Sequence, residues 1–291
     1  MPPKTPLPDL NTRTPRIAVP KGACDTHAHI FGPMDRYPPK EKRRYDPPDV
    51  TIRHYQDMLA ALGVERAVMV SSSAYGTNNQ ALLDGIASAG ENFRGIALID
   101  PHISDTALRA LHDGGIRGVR ASTLPNAPIG VDDMETLARR IAPMGWVMLV
   151  HLQHITELPL VATIAPTLAV PCVIDNFGRI RGSDGMSNEY FQAMLRLLRE
   201  NENCWMKLCS FYRLSDAGPP SYDDMEGYTR AFVETCPDRL IWGTNWPHPH
   251  NPVGVPNDGD LCDILFGWIG DETTRQKILV DNPARLFGFA G

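Results

Sequence analysis

Residues 23–29 read Ala23-Cys24-Asp25-Thr26-His27-Ala28-His29. A polar, Pro-rich lead precedes them, and they open the folded part of the chain. In an extended strand, alternate residues share a face. His27 and His29 are therefore expected side by side, with Asp25 one step earlier on the same face. An imidazole can bind a metal, carry a proton or polarise a carbonyl. Polar rings paired on one strand face cost stability unless they are used, so this strand is expected to carry function.

Seven further short apolar runs follow. The candidate strands are Ala23–His29, Arg66–Ser72, Phe93–Ile99, Gly118–Ser122, Val147–Leu152, Cys172–Asn176, Trp205–Leu208 and Leu240–Gly243. Amphipathic helical patterns lie between them. Met134, Leu137, Ala138 and Ile141 keep the i, i+3, i+4, i+7 spacing, as do Phe191, Met194, Leu195 and Leu198. Asp132-Asp133 and Ser187-Asn188 offer helix starts. Strands alternating with helices imply parallel pairing, and eight such units predict a single-domain α/β fold, the (β/α)₈ TIM-type barrel. An open doubly wound sheet is the alternative, but no G-x-G-x-x-G follows the first strand. The expected organisation is an N-terminal arm over residues 1–20 and a barrel over 21–291. Pro- and Gly-rich loops, Ala217–Pro220 and Pro247–Gly254, are expected at the barrel rim.

The 291 residues, 43% hydrophobic with net charge -6, argue against a nucleic-acid surface. No apolar run approaches membrane-span length, and the N-terminus lacks the apolar core of a signal peptide. Six cysteines without C-x-x-C spacing predict reduced thiols and a cytoplasmic protein. Neither a heptad run nor an adhesive apolar helix announces an oligomeric state.

In a barrel, chemistry gathers where the strands end. Read in order, those ends give His27 and His29, Ser73 and Tyr75, Arg120 and Ser122, His151 and Gln153, Asn176 and Arg179, Lys207 and Arg213, and Asn245 and His248. Polar groups thus collect at one end of apolar strands, which predicts an enzyme.

The D-T-H-A-H of the first strand, the central G-I-R-G-V-R, the run Gly243-Thr244-Asn245-Trp246-Pro247-His248-Pro249 and the closing L-V-D-N-P-A-R-L-F resemble the amidohydrolase superfamily. The likeness is greatest to its lactone-processing branch, typified by 2-pyrone-4,6-dicarboxylate lactonase. That resemblance implies a (β/α)₈ fold and a small carboxylate-bearing lactone as substrate. Two departures stand out. The superfamily usually ends its eighth strand in Asp, the base that activates water; here it is Asn245. The lactonase carries a sixth-strand His where this chain has Asn176. An amide donates and accepts hydrogen bonds but takes no proton at neutral pH.

Many superfamily members bind zinc through H-x-H and further ligands. Here His27, His29 and His151 are the candidates, while the fourth strand end offers no Lys or Glu. Zinc favours His, Cys and carboxylate, so no metal and no cofactor are expected. His27, His29, Asn245 and Asn176 are the candidate catalytic residues, as donors to a developing oxyanion. Without a base for water, the attacking group is expected to be a hydroxyl of the substrate, whose effective molarity can be very high. The branch includes sugar-acid lactone isomerases, and exchange of an aldaro-1,5-lactone (D-galactaro-1,5-lactone) for the 1,4-lactone is the expected reaction. A metal-independent lactone hydrolase is the alternative.

The resemblance places Arg120, Arg179 and Arg213 on substrate carboxylates, a role suited to bidentate Arg. The lactonase's further arginine after the fourth strand is replaced here by Ser122-Thr123-Leu124-Pro125-Asn126, which predicts a site better matched to hydroxyls. Tyr45, Ser73, Tyr75, His151 and Gln153 are the candidate hydroxyl contacts. His248 is expected on the ligand or bracing its loop through Trp246, and Lys207 is expected to pair with Asp175 in the barrel wall.

Overall fold

The computed structural model describes residues 2–251 and 256–289. Eight parallel strands follow one another around a nearly closed barrel in the order β1 to β8. They are β1 (Cys24–Ala28), β2 (Arg66–Val70), β3 (Phe93–Ala97), β4 (Ile116–Ser122), β5 (Val147–His151), β6 (Cys172–Ile174), β7 (Cys204–Cys209) and β8 (Leu240–Gly243). The TIM-barrel expectation holds. β4 begins two residues earlier than its apolar run suggests, at Ile116.

Each strand is buried on both faces, the pattern expected of parallel sheets covered by helices. Inward-facing Cys24, Val68, Val70, Ile96, Val147, Leu149, Val173, Trp205 and Ile241 form one cluster. Ala67, Met69, Val119, Met148, Val150, Cys172 and Met206 face outward into the larger cluster beneath the helices. The expected apolar stripes are buried on helices Met134–Ile141 and Glu189–Glu200. Asn188 caps the second by accepting from Tyr190 N and Phe191 N, which satisfies two of the donors a helix start leaves open.

The seam between first and last strands positions the site. His29 N donates to Trp246 O and Asn245 N to His27 O, each at 2.7 Å. The strands approach so closely that a Cβ on Gly243 would lie 2.6 Å from His27 Cβ; only glycine fits there.

Asp25 does not share the histidine face. The register shifts between Asp25 and Ala28, and this irregularity breaks the two-residue alternation. Asp25 instead accepts from Tyr55 Oη of helix Ile52–Leu62 (2.9 Å), Thr244 Oγ1 (2.6 Å), Thr244 N (2.9 Å) and His27 N (3.0 Å). It is a fully buried clasp across the seam.

Residues 2–20 hold no helix or strand beyond one parallel bridge between Lys4 and Asp46. Backbone donors of Arg13 and Ile17 reach Asn257 and Asp263, each at 2.9 Å. Of the expected rim loop Pro247–Gly254, residues 252–254 lie outside the described residues. No helix of the described residues is long and apolar enough to cross a membrane.

Candidate active site

A cleft of about 970 Å³ opens at the C-terminal ends of the strands. It collects His27, His29, Tyr45, Ser73, Arg120, His151, Gln153, Asn176, Arg179, Arg213 and Asn245. Asn176, Arg179 and Asn245 all hold positive φ (50°, 66° and 62°), uncommon for non-Gly residues and frequent at functional sites.

Two expected residues do not line the cleft. Tyr75 is buried beside Phe31, and its hydroxyl accepts from Gly32 N at 3.1 Å. His248 is fully buried behind the wall; its Nδ1 lies 2.7 Å from Tyr212 Oη and its Nε2 3.3 Å from Asp258 Oδ2. Nor does His248 act through Trp246, which packs on Tyr55 with ring centroids 5.3 Å apart. Lys207, inside the barrel, donates to Thr26 O at 2.7 Å and acts on Asp175 only through its charge.

The two histidines have their tautomers set by what lies behind them. His29 Nδ1 is 2.7 Å from Val70 O. A carbonyl only accepts, so the proton sits on Nδ1 and the neutral ring has a bare Nε2. His27 Nδ1 is 3.2 Å from Asp175 Oδ1, and a carboxylate there favours N–H on that side. The two Nε2 atoms, 3.3 Å apart, then both offer lone pairs. So placed, the pair is able to accept a proton, whereas donation by both rings to an oxyanion requires the opposite tautomers. Burial drives the His27 pKa down to about 4, against the pull of Asp175. Burial, and then His27, lower His29 well below its ordinary value. Burial pushes Asp175 up, yet His27, Lys207 and Arg120 together hold it well below the carboxylate range. His151 is lowered by burial and by Arg120, and its Nδ1 lies 3.4 Å from Asn176 Nδ2.

Among the described residues, no three His, Cys, Asp or Glu side chains converge as a metal would require. Asn176 and Asn245 are poor zinc ligands. The donor set does not fit the zinc that the resemblance allowed.

The cleft is strongly cationic in a chain of net charge -6. Lys40, Lys42, Arg43, Arg44, Arg120, Arg179 and Arg213 line it, against Glu41 on the exposed rim. Burial brings the Arg179 pKa down to about 10, helped by the like charges of Arg213, Arg181 and Arg44. Arg43 pairs with Asp46, and Arg120 lies 3.7 Å from Asp175; among the described residues the other five cations have no carboxylate partner, and such an excess of positive charge attracts anions. Sequence reasoning missed Arg44, His250 and Ser72. The basic run Lys40–Arg44 was the available signal for Arg44, and nothing local marked the others. That run also restores the positive charge lost after β4.

The amidohydrolase family model matches residues 24–289. A 4-sulfomuconolactone hydrolase of Rhizobium radiobacter is 38% identical, over 94% of this chain and 92% of its own length. A 2-pyrone-4,6-dicarboxylate hydrolase of Comamonas testosteroni is 35% identical, over 95% and 93%. A D-galactarolactone isomerase of Agrobacterium fabrum is 26% identical, over 96% and 95%. With the histidine pair, the barrel and the cationic cleft, these likenesses make the chain a member of the amidohydrolase family and an enzyme of its lactone-processing branch.

Proposed function

We propose that the protein is a lactone isomerase that exchanges the ring of an anionic aldarolactone by intramolecular acyl transfer. The observation that carries this is the absence, among the described residues, of a carboxylate able to reach a bound carbonyl. Asn245 closes β8, Asp175 is fully buried behind His27, and Glu41 stands on the exposed rim. Arg120, Arg179 and Arg213 hold the acid group, and the His27–His29 pair receives the proton of the attacking hydroxyl. The new C–O bond forms, the tetrahedral centre collapses, the old ring C–O bond breaks, and the proton passes to the departing oxygen. A base of low pKa suffices because a held hydroxyl has an effective molarity of about 10⁵–10⁸ M, and it surrenders the proton readily. Asn176 Nδ2 supplies a donor for the oxyanion. Tyr45, Ser73 and Gln153 contact the hydroxyls.

The relatives at 35% and 38% identity bear lactone hydrolase names, which favours a second reading: the same pair takes the proton of water and the ring opens. The large number of cations suits the two acidic groups of such lactones. Proton NMR in H₂¹⁸O separates the two. D-Galactaro-1,5-lactone, 2-pyrone-4,6-dicarboxylate and 4-sulfomuconolactone are supplied in turn. The isomerase yields the 1,4-lactone with no ¹⁸O and no acid. Open acid carrying ¹⁸O as the first product establishes the hydrolase instead.

A further inference from the structure

Behind the cleft wall, four buried side chains form a string that ends on Asn245. Asp258 opens the helix Asp258–Ile269, in the first turn where a carboxylate is favoured. Its Oδ2 lies 3.3 Å from His248 Nε2, His248 Nδ1 lies 2.7 Å from Tyr212 Oη, and Tyr212 Oη lies 3.0 Å from Asn245 Nδ2. None of Asp258, His248 and Tyr212 lines the cleft. The backbone of Asn245 is already fixed, with its N on His27 O and its O on His248 N, both at 2.7 Å. Only the side-chain amide remains to be oriented, and its two ends differ chemically: one accepts, the other donates.

The string sets that choice. A carboxylate accepts, so the neutral His248 ring carries its proton on Nε2 and leaves Nδ1 bare. The Tyr212 hydroxyl then donates to Nδ1. Burial pushes this phenol well above its ordinary pKa, so the proton stays on it. Its oxygen, with its own hydrogen directed at the ring, accepts from the Asn245 amide nitrogen. The Asn245 carbonyl oxygen is left for the cleft.

We infer that Asp258, His248 and Tyr212 are positioning residues: they form a proton-ordered string that turns Asn245 so that Oδ1 accepts a hydrogen bond from the attacking hydroxyl. The inference rests on the proposed isomerase reading, and it replaces the expectation that Asn245 donates to the oxyanion. Asn245 thereby holds the nucleophile on the path toward the carbonyl while the histidine pair takes the proton. An amide held the other way would present a second donor and misdirect the hydroxyl.

Two measurements test this. The ¹⁵N chemical shifts of the His248 ring in the full-length protein report its tautomer without any substrate. Protonation at Nε2 is expected; protonation at Nδ1 overturns the string. Kinetics on D-galactaro-1,5-lactone then test its consequence. Tyr212→Phe keeps the ring and is expected to lower kcat by about ten- to a hundredfold with KM within about twofold, the cost of a misaligned reactant. In an Asn245→Ala background the same change is expected to cost nothing more. A further loss in that background, or wild-type kcat in Tyr212→Phe, overturns the inference. Should Tyr212→Phe not fold, Asp258→Leu, which removes the acceptor facing His248 Nε2, enters the same cycle with the same outcomes. Absence of turnover by the wild type defeats the proposed function, and the tautomer measurement still decides the string.

Discussion

Replacing Asn245 with Asp puts a carboxylate where this cleft has an amide. The side chain is buried, lines the cleft, and lies 3.0 Å from Tyr212 Oη. A carboxylate cannot donate to that hydroxyl, so Tyr212 turns its proton from His248 to the introduced carboxylate, whose other oxygen faces the cleft. In the parent, a held hydroxyl of effective molarity about 10⁵–10⁸ M outcompetes water at about 55 M by at least roughly 10³. Open acid should then form in fewer than about one turnover in a thousand. A positioned general base accelerates attack by about 10²–10⁴; the substrate hydroxyl already has the histidine pair as its base, so the gain falls mainly to water. At the lower end of that effective molarity, about 10⁵ M, acid should rise to between about a twentieth and most of the turnovers; at any effective molarity in the range its share should rise at least about fiftyfold. The assay is the ratio of ¹⁸O-labelled acid to 1,4-lactone by NMR and mass spectrometry, with circular dichroism confirming the fold. An acid fraction within twofold of the parent, with isomerisation intact, refutes the missing-base reasoning.

The remaining predictions concern charge and the seam. His27 works as the neutral base, and burial lowers its pKa to about 4; activity should persist below the ordinary histidine range and fall only as pH drops through about 4. An acid limb of kcat/KM near 6.5, the unperturbed value, would contradict the buried tautomer assignment. Asp25→Ala strands the four donors of the clasp, each costing about 1–3 kcal/mol when buried unpaired, offset in part by removing a buried charge. Urea unfolding should show a loss of about 3–5 kcal/mol, and a loss below about 1 kcal/mol would deny the clasp its role. Arg213→Ala removes a charge-assisted contact of about 1.5–3 kcal/mol, so KM for an anionic lactone should rise about ten- to a hundredfold. An unchanged KM, with an unchanged dependence on ionic strength, would place Arg213 outside the binding set.

The barrel is legible because parallel strands covered on both faces leave apolar runs that sequence alone displays, and helices of one buried stripe leave their spacing. The gathering of polar strand ends is legible for the same reason, since the architecture brings distant positions to one face. What is not legible depends on departures from regularity. The register shift between Asp25 and Ala28 has no local signature, so simple alternation puts Asp25 on the wrong face. His248 has positive φ (59°), which turns it behind the wall toward Tyr212 and the helix start at Asp258. Tyr75 is spent on the backbone of Gly32. Arg44 and His250 come from loops whose placement no periodicity encodes. The isomerase expectation rests on Asn245 and remains a proposal, because sequence identity favours relatives that open the ring.

The histidine pair sits on the first strand, yet its groups are set by the last: His27 O holds Asn245 N, His29 N holds Trp246 O, and Asp25 holds Thr244. A nascent or truncated chain that lacks only the final strand has every imidazole of the pair and no working centre. Turnover thus begins only when the ring of strands shuts, so that activity doubles as a gauge of complete folding and partly made barrels stay silent toward reactive esters in their surroundings.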